Sequence, residues 1–142
     1  MTPTPVTGER ITRAAAAAGI TLNEIDNQWV TTINTVTVAV TRLSDATLLI
    51  RAGVPLPEAT GEDWLKESIP HYMAANAVNN ALPGVKTVII APPDEQPQAG
   101  MEVEIFIGEG LTDSQLEHNL QRGFTGVITA VNRFQDNQAP TS

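Results

Sequence analysis

The sequence predicts a single α+β domain: an antiparallel five-stranded sheet with helices mainly on one face. Three observations carry this. The length, 142 residues, is that of one domain. Residues with strand periodicity fall into two blocks, 29–54 and 86–107. Stretches with helical periodicity precede, separate and follow those blocks, giving the order α-βββ-α-ββ-α. Local turns link the strands within each block, so the simplest sheet is antiparallel and the helices pack against it.

The first helix is expected over Gly8 to Ala18. Thr7 is a fitting N-cap, the run Ala14 to Ala18 has high helix propensity, and Gly19 supplies a left-handed stop. Ile11, Ala14, Ala15 and Ala18 make a narrow apolar stripe that can sit close to a sheet. A first strand follows at Trp29 to Ile33. In a second, Val36, Val38 and Val40 alternate with Thr35, Thr37, Ala39 and Thr41, as a half-buried strand requires. Ser44-Asp45 turns the chain, Leu48, Ile50 and Ala52 resume the alternation, and Pro55 and Pro57 close the meander.

The second helix lies between Gly61 and Leu82. Pro70 lacks an N–H and collides with the preceding turn of a regular helix. The expectation is therefore a short turn around Glu62 to Ser68 and a main helix starting near Pro70, ended by Pro83-Gly84. A hairpin comes next. Lys86 to Ala91 forms one strand, and Met101, Val103, Ile105 and Ile107 form the apolar face of the other, with Glu102 and Glu104 facing water. The Pro-rich segment 92–99 connects them as an exposed loop. The last helix opens with a capping box at Thr112 and Gln115. Leu116, Leu120, Phe124, Val127, Ile128, Val131 and Phe134 give it one apolar stripe, and Gly123 and Gly126 allow close approach to the sheet. Residues 1–6 and 135–142 are polar, Pro-containing and aperiodic, and read as disordered tails around a domain at 7–134.

Composition narrows the function. The chain has no cysteine, which excludes disulfides, thiolate metal sites and a cysteine nucleophile. Net charge is −8, and the eight basic residues are scattered from Arg10 to Arg133, so neither nucleic acid nor an anionic membrane is an expected partner. No run approaches the ~20 apolar residues of a spanning helix. The start, Met1 to Val6, lacks the basic and apolar regions of a secretory signal, so a cytoplasmic location is expected.

The element order, together with certain residues, resembles the YbjN-like family of bacterial proteins, whose fold is like that of type III secretion chaperones. The resemblance rests on Gly19-Ile20 after the first helix and on Asn76-Ala-Val-Asn79 in the second. It continues with Pro83-Gly-Val-Lys86 before the fourth strand and with Gly110 to Leu116 opening the last helix. It spans residues 9–134. It implies a chaperone-like sheet, dimerisation through the second helix and sheet, and a role as a candidate sensory-transduction regulator. It supplies no catalytic residue. Pro70 departs from the pattern and puts a long continuous dimer helix in doubt.

Each site-like feature has a plain structural reading beside the functional one. His71 and His118 could act as acid–base or metal groups only with a convergent carboxylate such as Glu67, Asp113 or Glu117. Gly108-Glu-Gly110 precedes a helix N-terminus but lacks a lysine, and Glu109 and Asp113 would repel phosphate. Glu102 and Glu104 share a strand face, and Glu58, Glu62, Asp63 and Glu67 surround Trp64; both groups read as solvated faces. No serine stands in a nucleophile setting. Asn76, Asn79 and Asn80 are dense for a helix, so their amides either satisfy loops and strand edges or form a polar strip at an interface. Trp64, Tyr72 and Met73, of types enriched at interfaces, lie nearby; core burial is the other reading for Tyr72 and Met73.

The function expected is a non-enzymatic protein-binding module, a chaperone-like or regulatory adaptor acting as a homodimer. No cofactor, metal, nucleic acid or membrane is expected to take part. The interface candidates are Trp64, Tyr72, Met73, Asn76 and Asn79. The alternatives, in order, are a sensor binding a small molecule between helices and sheet, and an enzyme using His71 or His118.

Overall fold

Two dipeptides in the left-handed backbone region start the sheet. Asp26-Asn27 (φ 49° and 65°) and Asn34-Thr35 (φ 49° and 70°) are two-residue hairpin connections, whose twist matches that of the strands they join. In the computed structural model, residues 2–57, 64–91 and 95–138 are described. The elements are α1 (Gly8–Ala17), β1 (Asn23–Ile25), β2 (Gln28–Ile33), β3 (Val36–Ser44), β4 (Thr47–Pro55), α2 (Trp64–Ala81), β5 (Lys86–Ile90), β6 (Gln98–Phe106) and α3 (Asp113–Gln138).

The sheet is antiparallel throughout and runs β1-β2-β3-β4-β6-β5. It has six strands where the sequence reading expected five. The added strand is β1, three exposed residues with no apolar alternation, held by pairing with β2 alone. The Asp-Asn dipeptide at 26–27 is the hairpin signal that would have revealed it.

Side chains from alternate positions of the strands, among them Val38, Val40, Ile50, Ala52, Met101 and Val103, form one core with the helices. The apolar stripe expected for α3 is its buried face, and Thr112 and Gln115 exchange the two bonds of the capping box. Its two glycines do set the helix against the sheet. A Cβ on Gly126 would lie 3.1 Å from the Val85 side chain, and one on Gly123 would enter the space of Ile50.

α2 departs from expectation. It is continuous from Trp64 to Ala81 with Pro70 inside it, instead of beginning near Pro70. The carbonyl that proline leaves without its helical partner belongs to Lys66; both residues are exposed, so water can satisfy it. The inner face, Ala74, Ala75 and Val78, packs on α3 and β5 and holds the helix through the proline.

The expected tails are also partly structured. Thr4 pairs with Leu111, Val6 is buried, and Arg10 and Arg42 donate to the carbonyls of residues 4–6. Two arginine side chains thus hold a segment that has no periodicity of its own. At the other end, Gln135 to Gln138 continue α3, whereas 139–142 lie outside the described residues.

Candidate functional site

The site residues proposed from sequence cluster on α2, and its two faces behave differently. A surface helix normally has one apolar face; one with apolar residues on both sides needs cover on both. The inner face of α2 has its cover in α3 and β5. The outer face has none among the described residues. Ile69, Tyr72 and Met73 are 45%, 55% and 67% exposed, three of the six large exposed hydrophobics of the described chain. They stand at i, i+3 and i+4, so they form one patch. Asn76 and Asn80 continue that face toward the C-terminal end, also exposed. From Ile69 to Asn80 the stripe carries no charge, and Lys66, one turn before Ile69, is exposed on the same side. Tyr72 and Met73 are therefore surface residues, and core burial is ruled out for both. Trp64 opens the helix, but its side chain lies outside the described part.

Asn79 is different. Its Nδ2 donates to the Thr87 carbonyl at 2.9 Å and its Oδ1 accepts from the Thr87 N–H at 2.6 Å. β5 is an edge strand, and this amide satisfies the outward backbone pair of Thr87, blunting the edge. The sheet occupies it, so it is not part of the polar strip with Asn76. Replacing Asn79 with Asp keeps the acceptor but sets a carboxylate against the Thr87 carbonyl. The expected result is a loss of about 1–2 kcal/mol in urea unfolding, with faster exchange of the Thr87 amide.

The other candidates do not assemble. The Nδ1 of His71 is partnered by the Gln138 amide. His118 is exposed on α3 and borders a groove with Glu104 and Arg122, but among the described residues neither histidine pairs with a carboxylate. No cluster of three metal-ligating side chains occurs among the described residues. Glu102 is bonded to Arg51 at 2.9 Å and is not a free partner for Glu104. In the Gly108–Gly110 turn the N-terminal segment lies against Gly110 (φ +78°), so near that a Cβ there would be 2.7 Å from the Thr4 carbonyl oxygen, while Gly108 and Glu109 are exposed. Residues 58–63 lie outside the described part, and with them Glu58, Glu62 and Asp63; the same holds for the side chain of Glu67.

Two grooves flank α3. One of about 650 Å³ lies between α3, the turn from Leu82 to Val85, and β6. The other, about 630 Å³, lies between the end of α1, the β2–β3 turn and α3, lined by Ile20, Ile33, Phe124 and Ile128 with several threonines.

The fold has a close counterpart. The structure of YbjN, a candidate transcription regulator from E. coli, superposes with a TM-score of 0.79 at 14% identity, covering 96% of this chain and 97% of that one. The chain has the YbjN fold. An uncharacterized protein from Methanothermobacter thermautotrophicus shares it more loosely, with a TM-score of 0.55 at 15% identity over 94% of this chain and all of that one. No family model and no curated protein matches the sequence. With the YbjN fold the expected α+β domain and its helix-on-sheet arrangement are in place, with a six-stranded sheet. No helix among the described residues is long and apolar enough to cross a membrane.

Proposed function

We propose that the protein is a non-enzymatic, cytoplasmic protein-binding module, a regulatory or chaperone-like adaptor, and that two copies pair through the outer face of α2. The observation that carries this is the uncovered stripe of Ile69, Tyr72 and Met73 on a helix already covered on its other side. In a chain of net charge −8, a stripe without carboxylates from Ile69 to Asn80 is where two copies can meet with little repulsion. Packing two such helices together buries apolar area on both and aligns the Asn76 and Asn80 amides for hydrogen bonding across the interface. The YbjN likeness fits a regulatory role, and the scattered basic residues favour one exercised through protein contacts rather than through DNA.

The test is the mass in solution. Met73→Glu buries a charge in the proposed interface and is expected to weaken self-association on the order of 100-fold, measured by sedimentation across concentration. The melting midpoint of the separated chain should stay put, because Met73 is exposed there. Asn76→Ala should weaken pairing by less. A wild-type protein that remains a single chain at every concentration sinks the reading.

The second reading is a sensor that takes an apolar effector in the groove beside Ile20, Ile33 and Phe124, favoured by the size of that groove. It predicts a ligand-dependent rise in melting temperature. A broad metabolite screen with no shift counts against it.

A further inference from the structure

β6 is paired along its whole length on one side only. On the β4 side the register runs unbroken from Pro55↔Gln98 to Thr47↔Phe106. On the other side β5 reaches from Ile90↔Gln98 to Lys86↔Glu102 and stops. Val103–Phe106 therefore forms a sheet edge, at the place where β5 gives way to the turn Leu82–Val85.

The orientation of that edge follows from Asn79. Its double bond to Thr87 shows that Thr87 turns its N–H and C=O away from β6. In an antiparallel pair the direction alternates, so Lys86, Val88 and Ile90 face β6 and bond to Glu102, Gly100 and Gln98. Continuing along β6, Glu104 and Phe106 aim their backbone groups at the open side. No backbone bond from outside the sheet reaches them among the described residues. Unlike Thr87, they receive no side-chain bond among the described residues.

The groove of about 650 Å³ lies against this edge on the helix side. Gln121 and Arg122 of α3 and the side chains of Leu82 and Val85 wall it, and Val103 lies at its base. A strand laid along the open edge would put the residues opposite Val103 and Ile105 into that groove, where Leu82, Val85 and Val103 supply apolar surface while His118, Gln121, Arg122 and two threonines line the α3 side. Its remaining residues would project to the other face of the sheet, opposite Glu104 and Phe106. Of the two carboxylates on that face, Glu104 has no ion pair among the described residues. Glu102 has Lys86 opposite it on one side and is bonded to Arg51 on the other. Glu104 has Leu49 on the β4 side and no neighbour on its open side.

From this juxtaposition we infer that the open edge of β6 at Val103–Phe106 takes an extended segment of a partner protein. That segment has apolar side chains at alternate positions facing α3 and a basic side chain opposite Glu104. Main-chain bonds supply the affinity and the alternation supplies the selectivity. The site is separate from the outer face of α2 and stands whether or not two copies pair there.

The probe is a fluorescein-labelled hexapeptide, Val-Lys-Val-Lys-Val-Lys, compared with Val-Val-Val-Lys-Lys-Lys, which has the same charge but cannot alternate. The alternating peptide is expected to bind the full chain at least ten-fold more tightly, as directional strand pairing requires and non-specific attraction to an acidic protein does not. It should slow exchange of the Glu104 and Phe106 amides selectively. Glu104→Lys should weaken it about ten-fold by placing like charges opposite each other. Gln121→Trp should block the groove from an exposed position without touching the core. Met73→Glu should leave peptide binding unchanged. Equal affinity for the two peptides, no binding of the alternating one, or binding without protection of those two amides overturns the proposal.

Discussion

Phe134→Ala is expected to lower the unfolding free energy by about 3–5 kcal/mol, the largest effect of any single truncation considered. Phe134 is wholly inaccessible and the largest fully buried side chain of the described core. It lies one turn beyond Val131 and two beyond Val127 on the buried face of α3, the helix that lies over β4 and β6 and also packs on both α1 and α2. Truncation there removes the transfer free energy of an aromatic ring and leaves a cavity that three packed helices cannot readily close. Since a domain of this size is stable by roughly 5–15 kcal/mol, about a fifth or more of the total is lost. Urea unfolding followed by far-UV circular dichroism measures it. A loss under about 1 kcal/mol would mean that the last turns of α3 are not packed as described.

Arg10→Ala is expected to cost about 2–4 kcal/mol, because removing a largely buried guanidinium leaves several acceptors without donors. Arg10 donates to the carbonyls of Thr4 (2.7 Å), Pro5 (2.8 Å) and Leu111 (2.6 Å), and to Asp113 Oδ1 at 3.0 and 3.3 Å. The planar fork thereby ties α1, the N-terminal segment and the start of α3 into one unit. Asp113 is 64% exposed, so solvent screens its share of the clamp. The ranking of three variants separates the contributions. Asp113→Asn should cost under about 1 kcal/mol. Arg10→Lys should recover less than half of the Arg10→Ala loss, since an ammonium cannot reach carbonyls in several directions at once. If Asp113→Asn is as damaging as Arg10→Ala, the ion pair and not the carbonyl set holds the segment.

These two positions illustrate what could be read from sequence and what could not. Phe134 belongs to a stripe with helical spacing from Leu116 onward, and each member of it except the partly covered Ile128 is buried. The role of Arg10 was illegible. Two of its partners, Leu111 and Asp113, are 101 and 103 residues away, and the others, Thr4 and Pro5, lie in an aperiodic segment; all but Asp113 are bonded through carbonyls, which any residue type presents equally. For the same reason residues 4–6 looked like a free tail. The Asn79 amide was legible as a choice between two roles, and only the position of β5 beside α2 decided it in favour of the strand edge. Tyr72 and Met73 posed a similar choice. Periodicity places residues on a face of a helix but cannot say which face the rest of the fold leaves uncovered.

The sequence by itself determined the helix-and-strand order apart from β1, the buried faces of α1 and α3, the capping of α3, and the absence of any cysteine or basic cluster. All of these are local: they depend on propensity, on spacing along one element, or on composition. The tertiary structure alone decided that α2 continues through Pro70, because packing of Ala74, Ala75 and Val78 outweighs one lost hydrogen bond. It also recruited β1, which has no apolar pattern and exists only as a partner for β2. And it left two surfaces open, the outer face of α2 and the edge of β6 beyond Lys86. Both depend on where other elements end, and no residue encodes that within its own neighbourhood of the chain.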